Sequence, residues 1–226
     1  MINEIIHGDC LEVMREIPDK SIDMVLTDIP YGEVNRKHGS LRNISKGLAD
    51  ILTFNLREFL AHCNRVCKGN IYIFCGIEQI SEIRAYFRES GLTTRNCVWE
   101  KTNPSPMNGT RLWLSSIENC VYARNPKSVH NEHCKGVVWR YPCGRSKSHP
   151  TEKPVKLFEY LINVSSEKGM IILDPCIGSG TTAIAAHNTN RHYIGIEKEE
   201  KYVNIARERI RQHTQQMSIE KLLQEV

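Results

Sequence analysis

The chain has 226 residues, of which 40% are hydrophobic and 25% charged, and it carries a formal net charge of +4. These proportions are ordinary for a folded protein and exclude an intrinsically disordered chain. No run of about 18 apolar residues and no signal-peptide stretch is present, so we expect a cytoplasmic protein that does not enter a membrane.

Strands and helices alternate along the sequence. Short apolar runs predict strands, and apolar residues at a spacing of three to four predict helices. Lys68, Gly69 and Asn70 indicate a helix stop before the third strand. The pattern predicts one α/β domain over residues 1–226, with a mostly parallel sheet covered by helices on both faces. The predicted strands are 2–6, 22–27, 71–74, 94–99, 117–122, 170–173 and 193–196, and the helices are 11–16, 52–67, 79–90, 154–164, 182–187 and 199–215, followed by a helical extension over 218–226.

A glycine-rich loop follows the predicted strand at 170–173. Gly178 and Gly180 allow a tight turn and a close backbone approach to a ligand, but no Lys-Ser or Lys-Thr follows, which disfavours a phosphate loop. Asp174 ends this strand, and Glu197 ends the next one. Acids at two adjacent strand ends suit a ligand with both an ammonium group and a ribose, such as S-adenosylmethionine. The alternative for Glu197 is a solvated carboxylate that caps a helix.

A second polar turn, Asp28-Ile29-Pro30-Tyr31, follows the predicted strand at 22–27. An exocyclic amine on an aromatic ring is a poor nucleophile, and acceptors for its two hydrogens would stabilise the nitrogen during attack. Asp28 offers a carboxylate and Ile29 a carbonyl, while Tyr31 can stack on the base. A base inside a duplex would have to flip out to reach such a site. The alternative is an ordinary turn at a strand end.

Together these segments resemble the DNA amino-methyltransferases, which methylate N6 of adenine or N4 of cytosine with S-adenosylmethionine. The family's Asp-Pro-Pro-Tyr is similar to 28–31, and its Asp-Pro-Phe-x-Gly-Ser-Gly is similar to 174–180. Further matches are 8–10, Trp99-x-Lys101-x-Asn103-Pro104, and 149–154. Two residues depart from the pattern: Ile29 replaces a proline, which removes some rigidity, and Cys176 replaces a phenylalanine, which loosens packing.

The order of the motifs resembles the beta class of this family, with the catalytic turn first and the cofactor loop last. The resemblance implies a circularly permuted, Rossmann-like methyltransferase sheet. It also implies that Asp9 contacts the adenine ring of the cofactor, that Asp174 and Gly178 contact its methionine end, and that Glu197 contacts its ribose. Lys153 lies in the segment that closes the cofactor pocket in that family; its alternative is a solvated lysine. The expected cofactor-binding residues are Asp9, Cys10, Lys153, Asp174, Cys176, Gly178, Ser179, Gly180, Thr181 and Glu197, and the expected catalytic residues are Asp28, Ile29, Pro30 and Tyr31.

Two basic, non-periodic segments are candidates for DNA binding. Residues 125–148 form a predicted target-recognition insertion, and residues 33–50 form a predicted DNA-contacting loop. Basic side chains there can neutralise phosphates, although a solvated loop is the alternative. The histidines and cysteines of the insertion fit no standard zinc spacing, so we expect no metal. The predicted DNA-binding residues are Arg36, Lys37, Arg42, Lys135, Arg140, Arg145 and Lys147.

The sequence thus predicts a site-specific DNA methyltransferase of the kind found in restriction-modification. Asp rather than Ser at position 28 resembles the adenine-N6 enzymes more than the cytosine-N4 enzymes. This residue therefore favours N6 of adenine over N4 of cytosine as the target. A catalytically impaired DNA-binding relative and a methyltransferase for RNA or a protein amide remain alternatives. The expected partner is double-stranded DNA, and a homodimer and a cognate restriction endonuclease are left open.

Overall fold

The computed structural model describes residues 1–31, 52–106, 109–144 and 152–224, with side chains as far as residue 216. A 3-10 turn at Ile77–Gln79 leads into the third helix. The strands are β1 (Glu4–His7), β2 (Ile22–Asp28), β3 (Cys67–Cys75), β4 (Thr93–Lys101), β5 (Ile117–Arg124), β6 (Val138–Tyr141), β7 (Ile171–Asp174) and β8 (His192–Glu197). The helices are α1 (Cys10–Glu16), α2 (Leu56–Val66), α3 (Ile80–Glu89), α4 (Val155–Ser165), α5 (Thr181–Asn188) and α6 (Glu200–Gln224).

The strands form one sheet in the order β1-β8-β7-β2-β3-β5-β4-β6. Within the described part of the chain, β5 alone runs against the others, because it pairs antiparallel with both β3 and β4. The predicted α/β class and the mostly parallel sheet are therefore confirmed. The parallel strands place their carboxyl ends at one edge of the sheet, which we call the carboxyl edge; the start of β5 lies at the same edge.

The core lies on both faces of the sheet, as the alternation of side chains along β3 illustrates. Ile71 and Ile73 pack on the face covered by α1, α2 and α3. Tyr72 and Phe74 point to the other face, where α4, α5 and α6 pack. Because successive side chains of a strand point to opposite faces, a continuous apolar run marks a strand buried on both sides.

The predicted helix stop at Lys68, Gly69 and Asn70 is wrong, because these residues belong to β3. Between the pairs Ile22/Cys67 and Met24/Asn70, β3 advances three residues while β2 advances two, which defines a β-bulge. A Cβ atom on Gly69 would lie 2.0 Å from the carbonyl oxygen of Asp23, so the close approach requires glycine. Lys68-Gly69-Asn70 therefore marks a β-bulge within a strand and not a turn after a helix.

The segment 125–148 contains an unpredicted strand. β6 adds to the sheet parallel to β4, and Trp139 within it is buried against Tyr72 and Phe74. Val129, nine residues before β6, lies at the edge opposite the carboxyl edge, since the Asn70 side-chain amide donates to its carbonyl at 2.8 Å. Part of the predicted insertion is therefore built into the sheet.

The carboxyl-terminal region also differs from the prediction. α6 runs without a break to Gln224, so the predicted extension over 218–226 continues the preceding helix as far as the chain is described. No helix within the described ranges is both long and apolar enough to cross a membrane.

Candidate active site

The two polar turns meet at the centre of the sheet. β7 and β2 are neighbours, and the chain leaves β7 through α5 towards β8 but leaves β2 towards β3 on the other side. Ligands of open α/β sheets bind where successive connections diverge in this way. A cavity of about 590 Å³ lies there. It is lined by all four predicted catalytic residues and by every predicted cofactor-binding residue except Gly180.

Asp174 anchors the glycine-rich loop beneath this cavity. Its carboxylate accepts hydrogen bonds from the Thr182 hydroxyl at 2.5 Å and from the backbone N–H of Cys176 at 3.1 Å. The side chain is buried, and burial raises its pKa to about 7 despite these hydrogen bonds. Asp174 therefore takes up or releases a proton near neutral pH, which is a property expected of a ligand-binding carboxylate.

Two glycines set the path of the loop. Gly180 has a φ of +89°, which favours glycine, and a Cβ atom there would lie 3.1 Å from the Cβ of Ala206 in α6. Gly195 in β8 lies under the loop, because an added Cβ would meet the Cδ1 of Ile177 at 2.3 Å. An alanine at position 195 would therefore require Ile177 to shift.

Glu197 and Asp9 lie on the far side of the cavity from the catalytic turn, at the ends of β8 and β1. Glu197 accepts the N–H of Gly178 at 3.0 Å and the N–H of Glu199 at 2.9 Å, so it ties the loop to the start of α6. It is half-buried, and its contact with Glu199 is the helix-capping contact that the alternative describes. Asp9 caps α1 by accepting the N–H of Leu11 at 2.9 Å, and its other oxygen lies 3.3 Å from Lys198.

Backbone hydrogen bonds hold the catalytic turn in place. The N–H of Ile29 donates to the carbonyl of Phe74 at 3.1 Å, which extends the β2/β3 ladder one residue beyond Asp28. The carbonyl of Pro30 accepts from the Gln79 side chain at 3.0 Å, and the same side chain accepts the N–H of Gly76 at 2.8 Å. Gln79, which our sequence reasoning did not identify, therefore positions the turn.

Asp28 belongs to a compact network of charged groups. The Lys153 ammonium lies 2.5 Å from Asp28 Oδ2 and 2.9 Å from Glu118 Oε2. Lys101 contacts the other oxygen of Glu118 at 2.8 Å. The Tyr31 hydroxyl lies 2.9 Å from Asp28 Oδ1 and 3.0 Å from Glu118 Oε2. Two carboxylates and two ammonium groups balance, and each carboxylate contacts at least one cation.

Burial and charge pairing act in opposite directions on the pKa values of this network. Burial raises the pKa of Asp28, and Lys153 opposes the rise. Burial would also raise the pKa of Glu118, but Lys153 and Lys101 together hold it at about 2. Burial lowers the pKa of Lys153, and its two carboxylate partners more than compensate, so it stays above its usual value. Lys153 is therefore a permanent cation that favours the ionised form of Asp28.

The contacts of Lys153 differ from those that the sequence resemblance implies. The sequence resemblance places it among the cofactor-binding residues, and it does line the cavity. Its ammonium, however, contacts the carboxylates of the catalytic turn and β5, and its side chain is only 5% exposed, which excludes the alternative of a solvated lysine. Glu118 has no motif of its own in the sequence, while Lys101 belongs to the matching segment at 99–104.

Arg209 of α6 connects the glycine-rich loop to the segment that carries Lys153. Its guanidinium donates to the carbonyl of Ser179 at 2.6 Å and to the Ser179 hydroxyl at 2.9 Å, and it also pairs with Glu152. The second carboxylate oxygen of Glu152 is buried without a hydrogen-bond partner among the described residues, and Glu152 lines the cavity. A buried acceptor without a partner at a cavity wall is suited to a ligand donor.

The structure describes two of the seven predicted DNA-binding residues. Arg140 is exposed in β6 and pairs with Glu100 at 2.9 Å. Lys135 is exposed and lies three residues before β6. The loop 33–50 and the other five residues lie outside the described ranges: Arg36, Lys37, Arg42, Arg145 and Lys147.

Comparison with known proteins gives a consistent result along the whole chain. The family model described as DNA methylase matches residues 22–208. Type II methyltransferase M.HinfI of Haemophilus influenzae is 30% identical over 247 residues, covering 93% of this chain and 69% of the relative. Type II methyltransferase M2.MboI of Moraxella bovis is 31% identical over 241 residues, covering 93% and 88%.

Solved structures match the same extent of the chain. A crystal structure of the M1.HpyAVI-SAM complex superposes with a TM-score of 0.72 at 28% identity, covering 91% of this chain and 98% of that one. The cytosine-N4-specific PvuII DNA methyltransferase reaches a TM-score of 0.72 at 19% identity, covering 90% and 84%. At that identity the second match shows a shared fold alone.

Proposed function

The chain belongs to the DNA methylase family of N6 and N4 amino-methyltransferases, and from this premise we propose that it methylates the N6 amino group of adenine in double-stranded DNA. The methyl donor is S-adenosylmethionine, which is the SAM of the M1.HpyAVI complex. The observation that carries the proposal is Asp28, a carboxylate held at the cavity by Lys153 and Tyr31.

The residues of the cavity fit the donor. Its volume of about 590 Å³ lies within the usual range for small-molecule sites. Carboxylates at the ends of β7 and β8 and the orphaned oxygen of Glu152 offer acceptors for an ammonium group and for ribose hydroxyls. S-adenosylmethionine supplies an electrophilic methyl group on a sulfonium. The residues proposed to hold it are Asp9, Cys10, Asp174, Cys176, Gly178, Ser179, Gly180, Thr181 and Glu197.

The catalytic turn would act on the acceptor base. The lone pair of an aromatic amine is delocalised into the ring, and hydrogen-bond acceptors for both amino hydrogens favour the tetrahedral nitrogen that develops in attack. Asp28 and the carbonyl of Ile29 are the proposed acceptors. Lys153 opposes the effect of burial and favours the ionised form of Asp28, which is the form in which both of its oxygens accept.

The target base would enter this cavity from the duplex by extrusion. The Tyr31 hydroxyl is fixed by Asp28 and Glu118, which presets the ring for stacking on a base. An extruded base is recognised by stacking and by its exposed edge. Residues 33–50 and 125–148 are the proposed additional DNA contacts. A cytoplasmic location stays a prediction, and a homodimer and a partner nuclease stay open.

The proposal is tested by expressing the chain in a host whose DNA carries no methylated bases. Digestion of the host DNA to nucleosides should yield N6-methyladenine, and sequencing should place it in one sequence context. N4-methylcytosine instead would support the alternative base, and the absence of both with intact DNA binding would support a catalytically impaired relative.

A matched pair of variants isolates the role of Asp28. Asp28→Ala should abolish tritium transfer from labelled S-adenosylmethionine to duplex DNA while cofactor affinity is retained. Asp19→Ala is the control, because its side chain is 72% exposed in the loop that precedes β2, at the opposite edge of the sheet. Full activity of Asp28→Ala would refute the proposed mechanism.

A further inference from the structure

The connection between β4 and β5 presents an exposed apolar tip. Trp113 is fully exposed, and its neighbours Leu112 and Leu114 are 70% and 40% exposed. The other two tryptophans, Trp99 and Trp139, are buried. A contiguous exposed apolar cluster on a polar surface is a recurrent mark of a binding surface.

This tip lies on the connection between two residues of the catalytic cavity. The connection begins at Lys101 and returns to β5 shortly before Glu118, and these two paired residues line the cavity. Trp113 is five residues from Glu118, and five residues span at most about 18 Å. Since successive base pairs of a duplex are about 3.4 Å apart, the indole is within reach of the base pairs next to a nucleotide in the cavity.

Hydrogen bonds order the base of the tip. The N–H of Lys101 donates to the carbonyl of Ser116 at 2.7 Å, and the N–H of Ser116 donates to the carbonyl of Leu114 at 2.8 Å. Leu114 also packs over Gly109, where an added Cβ would lie 2.8 Å from its Cδ2. Leu114 therefore anchors the tip, and Trp113 is the side chain presented to solvent.

The charge of the connection suits a polyanion. Between Glu100 and Glu118 the sequence has no acidic residue, and its two charged side chains are Lys101 and Arg111. Arg111 lies two residues before the exposed indole, is itself exposed and can reach a phosphate. An aromatic ring next to an arginine is a combination that stacks on bases and neutralises the backbone beside them.

We propose that Trp113 is a DNA-contacting residue that stacks against the bases exposed when the target nucleotide is extruded, with Arg111 on the adjoining phosphate. This inference rests on the proposed function, because it assigns the tip to the same duplex that delivers the base. Removal of a base from the stack exposes the faces of its neighbours, and an inserted apolar side chain compensates for the lost stacking.

The tryptophans of the chain provide a direct test of the contact. Trp113 is the exposed one of three, so acrylamide should quench mainly its fluorescence. Duplex DNA should protect the wild-type protein from this quenching. In Trp113→Phe the quenchable fraction should disappear. Ile2→Ala, which changes an exposed apolar residue before β1 at the opposite edge, should behave as wild type. Unchanged quenching of the wild type at saturating DNA would overturn the proposal.

Kinetics with two duplexes test the role in base extrusion. Loss of one stacking contact should weaken Trp113→Ala about 5- to 150-fold in kcat/KM on a duplex with a paired target base. The loss should shrink when the target base is mispaired, because less stacking has to be disrupted, and Trp113→Phe should retain most of the activity. An equal loss on both duplexes, or none, would refute the assignment.

The same experiment separates this inference from the proposed function. If the wild-type protein methylates neither duplex, the proposed function fails, whatever Trp113 does. If the wild type methylates both and Trp113→Ala matches it, the inference alone fails. If Trp113→Ala turns a dimer into a monomer and keeps the wild-type kcat/KM, the tip contacts a second copy of the chain, and the inference is overturned.

Discussion

Asp174→Asn should stabilise the protein and weaken its cofactor binding, both in a pH-dependent way. Asp174 has an ordinary pKa of 3.8, and burial raises it to about 7 in the folded state. This difference in pKa corresponds to about 4 kcal/mol in the free energy of unfolding, at about 1.36 kcal/mol per pKa unit. Asparagine keeps an acceptor for the N–H of Cys176 and carries no charge, so it avoids this cost.

The sign of the effect follows from the order in which the two states lose the proton. Above about pH 4 the unfolded chain ionises at Asp174 while the folded protein retains its proton, so stability falls as pH rises towards about 7. Relative to wild type, Asp174→Asn should therefore gain stability progressively across this window, by up to about 4 kcal/mol, and level off above it.

Urea unfolding followed by circular dichroism between about pH 4 and about pH 8 measures this gain. Asp19→Asn serves as the control, because its side chain is 72% exposed and should show no comparable trend. A gain that is the same at every pH would refute the reasoning, since it would mean that the pKa of Asp174 is the same in the folded and the unfolded state.

Calorimetry tests the functional side of the same substitution. If Asp174 binds the cofactor's ammonium as a carboxylate, wild-type affinity for S-adenosylmethionine should rise with pH through about 7, and binding near pH 6 should release a proton. Asp174→Asn should lose about 10- to 150-fold in affinity, the range for a hydrogen bond to a charged group, and should release no proton. Proton release that persists in the variant would contradict the assignment.

Two further substitutions test the charge network and the loop. Lys153→Met leaves the half-buried carboxylates of Asp28 and Glu118 without this shared partner, which should cost about 3–5 kcal/mol near neutral pH and less as pH falls. The same variant should move the acidic limb of the pH profile of kcat/KM to higher pH. Lys156→Met is the control, because the Lys156 side chain is 81% exposed, and it should change neither the stability nor the pH profile. A profile lowered equally at every pH would argue against an electrostatic role of Lys153. Gly195→Ala should destabilise the protein by about 1–3 kcal/mol and raise the KM for S-adenosylmethionine, because the added methyl meets Ile177 at 2.3 Å; unchanged urea unfolding and KM would show that the loop has room to move.

The parts of the site predicted from sequence are those whose signal is local. Asp28 and Asp174 each follow an apolar run, so their place at the carboxyl ends of strands could be inferred from neighbouring residues. That both strands are adjacent at the centre of the sheet is not visible in either segment. It is observed only in the strand order.

The parts that escaped prediction depend on contacts between distant segments. Glu118 is one charged residue in an ordinary strand until β5 pairs between β3 and β4 and brings it to Lys153. Trp139 gives β6 its one buried anchor, and four residues carry too little periodicity to mark a strand. Gly69 has the same sequence signal in a helix stop as in a bulge, and only the carbonyl of Asp23 distinguishes them.

Ile29 replaces a proline of the family motif without loosening the catalytic turn. A proline at this position would have no N–H, and the hydrogen bond from Ile29 to the carbonyl of Phe74 would be lost. The Ile29 side chain is also buried in the core under α1 and α2, while Gln79 holds the next carbonyl, that of Pro30. A ladder hydrogen bond, a buried side chain and a side-chain amide thus supply the rigidity that the ring of a proline would provide, so the substitution gives no structural reason to expect impaired turnover.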